Sequence, residues 1–161
     1  MDPADFQGMP NDVLIVEDDA IIALDFEDTI LGFGVKTVRA CSSVARALQL
    51  IADRAPDFAL LDVSLASGNS FVVAEKLQAM QIPFVFITGY GSRVGLPAAL
   101  SGTPALPKPC TSDALEAALR QRYSRRYGLS RPASVQASLT TAQYRRDHAA
   151  SPSSARLNRR S

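Results

Sequence analysis

Four apolar runs in this 161-residue chain lead directly into side chains able to do chemistry. Residues 13–16 run into Glu17, Asp18 and Asp19, and residues 58–61 into Asp62. The run PFVFIT closes on Thr88, and residues 103–106 are followed by Pro107, Lys108 and Pro109. Each has an ordinary reading taken alone. Acids favour the first turn of a helix, an Asp after a strand caps a turn, Thr88-Gly89 punctuates a strand end, and a lysine between prolines marks a surface turn. Jointly, the ordinary account needs one coincidence per strand end. If the runs are parallel strands of one sheet, their ends share the edge where open α/β sheets place ligands. Glu17, Asp18 and Asp62 then crowd together, and like charges raise carboxyl pKa values. A hard divalent cation relieves that repulsion, and Mg²⁺ suits one or two carboxylates, a carbonyl, waters and a phosphate. Asp18 and Asp62 are the direct ligands in this reading, with Glu17 acting through water. A carboxylate held beside Mg²⁺ and a lysine can attack a phosphoryl group, giving an aspartyl phosphate. Asp62 is then the nucleophile and Lys108 pairs with the phosphoryl oxygens. The Thr88 hydroxyl donates to another oxygen, and its movement turns phosphorylation into a loop displacement.

The elements that must hold these groups follow from periodicity. Strands buried on both faces read as continuous apolar runs. After the first, AIIALDFEDTILGFG repeats Ile22, Phe26, Ile30 and Phe33 at intervals of three to four. That spacing predicts an amphipathic helix with Asp19 as N-cap, stopped by Gly32 and Gly34. A second strand is expected over residues 35–40, then a helix capped by Ser42-Ser43 with Val44, Leu48 and Ile51 on one face. The third strand ends at Asp62. Past the loop ASGNS, a helix turns Phe71, Ala74, Leu77 and Met80 inward, and residues 83–88 form the fourth strand. SRVGLPAALSG is a poor helix, because Gly95 costs about 1 kcal/mol and Pro97 more. A short or mobile element is expected there. Residues 103–106 make a brief fifth strand, and a last helix begins near residues 111–113 and passes through Leu115, Leu119 and Tyr123. Five alternations of strand and helix predict an α/β parallel sheet with helices on both faces.

The totals agree with one soluble domain. The length allows one core plus a tail. No apolar run approaches the ~20 residues of a membrane span, and the acidic start MDPADFQGMPND lacks the pattern of a secretion signal. Cys41 and Cys110 have no metal or redox spacing, so a reduced, cytoplasmic protein is expected. His148 is the single histidine and lies in the tail, which excludes a histidine-based catalytic site. Residues 1–120 hold fifteen acids against eight bases, whereas nine arginines beyond them face Asp147 alone. The expected organisation is a flexible leader over residues 1–11, a domain over 12–127 and a basic, disordered tail over 128–161. The tail brings no recognition helix, zinc spacing or RNA-binding signature, so sequence-specific DNA binding is not expected.

VLIVEDDA, LLDVSL, FITGYG and PKP, in this order, resemble the receiver domain of two-component response regulators over residues 12–125. The resemblance implies a flavodoxin-like, doubly wound five-stranded sheet in the order 2-1-3-4-5. It implies Asp62 as phosphoacceptor, Glu17 and Asp18 as metal-site acids, Thr88 as switch hydroxyl and Lys108 as the phosphate-pairing lysine, followed by a cis peptide at Pro109. A third metal ligand in the family is the backbone carbonyl two residues past the phosphoacceptor, here Ser64. PFVFITGYG, GLPAAL and the glycine-containing loop after Asp62 are similar to receivers that work with HWE-type histidine kinases. Two positions depart from the family pattern. Ala105 stands where many receivers carry a switch aromatic, and Tyr90, two past Thr88, is the nearby ring that could substitute or shield the phosphoryl group.

Three functions compete at this point. The first is a single-domain response regulator, not an enzyme, that takes a phosphoryl group from a histidine kinase onto Asp62 with Mg²⁺. It signals through the surface of its fourth and fifth strands, or drains phosphoryl groups from the relay. The second is a receiver-like interaction module that is never phosphorylated, a reading that Ala105 keeps open. The third is a phosphatase of the haloacid dehalogenase type, which needs a general acid where this chain has Ser64.

Overall fold

A computed structural model describes residues 8–89 and 96–127. Its strands and helices, in order, are β1 (Asp12–Val16), α1 (Ala20–Gly32), β2 (Thr37–Cys41), α2 (Val44–Asp53) and β3 (Phe58–Asp62). There follow β4 (Ser64–Leu65), β5 (Gly68–Asn69), α3 (Phe71–Ala79), β6 (Phe84–Thr88), β7 (Ala105–Pro107) and α4 (Ser112–Tyr127). One parallel sheet runs β2-β1-β3-β6-β7, and β4 and β5 pair as a separate antiparallel hairpin. With the hairpin set aside, this is the expected 2-1-3-4-5 order of the flavodoxin-like sheet, β6 and β7 being the fourth and fifth strands.

The central strands are buried on both faces, and their residues alternate between two cores. Leu14, Val16, Ala59, Leu61, Phe84 and Phe86 point to one, packed by Ala47 and Ile51 of α2 and Val73, Ala74 and Leu77 of α3. Val13, Ile15, Phe58, Leu60, Val85 and Ile87 point to the other, covered by Phe26 and Ile30 of α1 and Leu115 and Leu119 of α4. Phe86 meets Phe71 and Phe84 edge to face, with ring centroids 6.1 and 5.6 Å away.

Caps set the helix ends. Asp19 accepts from the Ile21 and Ile22 amides, Ser43 from Arg46 and Thr111 from Ala114. Gly32 stays inside α1, and Gly34, at φ 95°, is the residue that turns the chain away. Pairing of β2 starts at Thr37, opposite Asp12, two residues later than periodicity predicts, and Val35 packs into the core below it. The fifth strand is likewise displaced to Ala105, because Thr103 N–H is committed to a turn onto the Leu100 carbonyl. The flexible leader expected over residues 1–11 is corrected at its inner end. Gly8, Met9 and Pro10 are buried, and Met9 joins the core covered by α1 and α4. Of the weak segment near Gly95, the described part is a single 3-10 turn at Ala98–Leu100. Residues 128–161 lie outside the described residues.

At the sheet edge remote from Asp62, Asp12 accepts from Arg39 at 3.1 and 3.0 Å and from Arg54 at 2.9 Å. Asp57 caps the same corner by accepting from the Asn11 and Asp12 amides. Among the described residues no helix is long and apolar enough to cross a membrane.

Candidate functional site

Parallel strands of similar length deliver their last residues to one edge. β1 ends beside Glu17, whose amide donates to Cys41 O at 3.0 Å, and β3 ends in Asp62, in register with Ile87. β6 ends in Thr88, and β7 leads into Lys108, whose amide donates to Thr88 O at 2.7 Å. The Lys108–Pro109 peptide is cis.

The structure brings Glu17, Asp18 and Asp62 together, with one carboxylate oxygen of each inside a 4.8 Å group. Lys108 joins them. Its Nζ lies 2.9 Å from Asp62 Oδ2 and 3.0 Å from Glu17 Oε2. Glu17 is 3% exposed and Asp62 5%, whereas Asp18 faces solvent. Asp62 Oδ1 accepts from the Ser64 amide at 3.2 Å, and Asp18 Oδ2 from the Ala66 amide at 2.7 Å. Glu17 Oε1 accepts from Asp19 N–H, while its buried Oε2 faces the Lys108 ammonium.

These contacts set the electrostatics. Burial pushes the Glu17 carboxyl from its ordinary 4.5 up to about 7, opposed by Lys108 and reinforced by Asp62. Burial opposes the Lys108 ammonium, but the hydrogen bond to Asp62 and the two carboxylate charges outweigh it and raise its pKa. Three carboxylates gathered at one strand edge, two of them beside a single ammonium, form a donor set that fits a hard divalent cation.

Thr88 is 7% exposed, and its hydroxyl donates to Leu106 O at a long 3.5 Å. It therefore rests on β7 rather than on the acids. Ser64 sits in β4, exposed, at the start of the hairpin. Ala105 is half-buried at the start of β7, opposite Phe86. Tyr90 lies outside the described residues. Cys41 and Cys110 are unpaired, and burial raises both thiols, away from the range of a reactive thiolate. The hairpin and its Ala66 amide were not expected from the sequence. The Ser67-Gly68 pair beside a single buried Leu65 is the signal that marks this turn.

The chain spans a third of a curated relative, the phyllosphere-induced regulator PhyR of Methylorubrum extorquens, at 31% identity over 88 residues, which are 53% of this chain. The solution structure of SdrG from Sphingomonas melonis matches 68% of this chain and 92% of its own length, at 41% identity and a TM-score of 0.60. PhyR from Bartonella quintana, described as an anti-anti-sigma factor, matches 78% of this chain and 52% of its own length at 26% identity, with a TM-score of 0.67. The family model for the response regulator receiver domain matches residues 13–120, the span that carries every acid of the cluster, Thr88 and Lys108. On that match, and with strands in the order the family fold requires, this chain belongs to the response regulator receiver domain family.

Proposed function

We propose that the chain is a phosphoryl acceptor in a two-component phosphorelay, with Asp62 as the residue modified. One observation carries this reading: a buried carboxylate at a strand end, hydrogen-bonded by Lys108 and grouped with Glu17 and Asp18. The donor is a phosphohistidine on a histidine kinase, of the HWE type by the resemblance of the PFVFITGYG and GLPAAL segments. Transfer breaks the P–N bond, returns its electron pair to the imidazole, and forms a P–O bond to Asp62. Lys108 remains beside both Asp62 and Glu17 as charge builds on the phosphoryl oxygens. Glu17, Asp18, Asp62 and the Ser64 carbonyl would hold Mg²⁺, which supplies charge neutralisation for phosphoryl transfer when bound.

The Thr88 hydroxyl is the switch. Its 3.5 Å bond to Leu106 O is weak, so exchanging it for a phosphoryl oxygen costs little. The exchange shifts the β6–β7 surface, where Ala105 supplies no ring to follow. Tyr90 takes that part, and unchanged phosphoryl lifetime and partner binding in Tyr90→Ala would remove it. The output is binding of another protein. Similarity to a PhyR described as an anti-anti-sigma factor supports a partner among regulators of sigma factors. The test is incubation with Mg²⁺ and acetyl phosphate, read by intact mass. One added phosphate, absent in Asp62→Ala, supports the reading. No adduct from acetyl phosphate or from a kinase favours the unphosphorylated interaction module, the alternative that Ala105 keeps open.

A further inference from the structure

The hairpin after Asp62 does something that a cation site alone does not explain. Its first strand and turn present two backbone amides to two different acids. Ser64 N–H donates to Asp62 Oδ1 at 3.2 Å, and Ala66 N–H to Asp18 Oδ2 at 2.7 Å. Ser64 lies in β4 and Ala66 opens the turn, so both amides are offered from one short segment. The strip Ser64-Leu65-Ala66 therefore grips carboxylates that arrive on separate loops, Asp18 lying 48 residues from Ala66.

The strip itself is held from behind. Leu65, between the two donors, is 7% exposed and belongs to the core packed by α2 and α3. Ser64 pairs with Asn69 and Leu65 with Gly68, whose φ of 133° favours glycine. Asn69 Oδ1 then accepts from the Phe71 amide, which ties the hairpin to the start of α3. Each acid thus has one oxygen fixed by a core-anchored backbone, and the second oxygen of Asp62 faces the Lys108 ammonium at 2.9 Å.

We propose that the Ser64–Ala66 strip is a positioning bracket that sets Asp18 and Asp62 relative to each other, with the Ala66 amide as its positioning group on Asp18. The inference rests on the phosphorelay reading for its purpose, but not for its geometry. Outer partners that orient metal ligands typically contribute 10–100-fold to affinity.

Ala66→Pro deletes the donor, and Ala66→Gly retains it. Mg²⁺ titration of the full chain, followed by ¹⁵N–¹H NMR, should show about 10–100-fold weaker binding in Ala66→Pro, with Ala66→Gly close to wild type. A second measurement needs no cation. Amide exchange at residue 66 should be slow in wild type and in Asp18→Asn, which keeps an acceptor oxygen, and about 10-fold or more faster in Asp18→Ala. Equal Mg²⁺ affinity in Ala66→Pro and wild type overturns the bracket, as does exchange at residue 66 that ignores Asp18→Ala. Should Ala66→Pro fail to fold, the exchange series decides alone. Failure of the wild type to take up Mg²⁺ counts against the phosphorelay reading, and the exchange series then still tests the bracket.

Discussion

Glu17 is the residue whose surroundings fit it least. Its carboxyl is raised to about 7 by burial, so the folded chain holds a proton that the unfolded chain releases near 4.5. Stability from this group is therefore fully present below about pH 4.5 and is lost as pH rises through about 7. Thermal unfolding followed by circular dichroism without divalent cations should show that decline, and Glu17→Gln should flatten it. At the proposed cation site Mg²⁺ would compete with the same proton, so its affinity should climb across this window and level above it, with proton release measurable by calorimetry in buffers of different ionisation enthalpy. Lys108→Ala removes the ammonium that both Glu17 and Asp62 face. Its destabilisation should be larger at pH 8 than at pH 5.5, where Glu17 is protonated, and labelling by acetyl phosphate should fall at least 10-fold. The acids, Thr88 and Lys108 could be found in the sequence because each follows an apolar run. The Ala66 amide could not, since a backbone donor has no residue type to announce it.

Among the elements, α1 presents two faces. Phe26 and Ile30 enter the core, as the helical spacing predicts, while Ile21, Leu24 and Leu31 are 81%, 58% and 42% exposed on the opposite side. Asp25 and Asp28 are exposed on that same outer face, which begins one turn beyond the Asp18 site. Under the proposed phosphorelay reading, this face adjoins the site that a phosphodonor protein would approach. Ile21→Glu with Leu24→Glu should change stability by only about 0.5 kcal/mol and leave acetyl phosphate labelling intact, while slowing transfer from the kinase. An unchanged transfer rate would exclude α1 from docking. The β4–β5 hairpin escaped the sequence because two-residue strands are too short to show a period. The start of β2 shifted because register with β1 decides where pairing begins, and that of β7 because a local turn takes the Thr103 amide. At the remote edge, Asp12→Ala would leave the 15%-exposed Arg39 without its carboxylate. That should cost about 3 kcal/mol in urea unfolding and leave Asp62 chemistry untouched.

At the scale of the molecule, alternating apolar runs and helical spacing were enough to foretell a two-core α/β sheet, because burial on both faces removes polar residues from the strands. What they missed was how early the core begins. Met9 packs with residues of α1 and α4, so Met9→Ala should cost about 2 kcal/mol, measurable as a lower midpoint in denaturant. A silent substitution would return Met9 to the leader. The two flanks of the sheet are unequal. β2 carries the Arg39 guanidinium, and β7 is only three residues long and ends in Pro107, which has no amide to offer. The β7 flank is therefore a poor template onto which another chain could add a strand. Any chain that extended this sheet would find a row of free backbone groups beside β2 and hardly any beside β7.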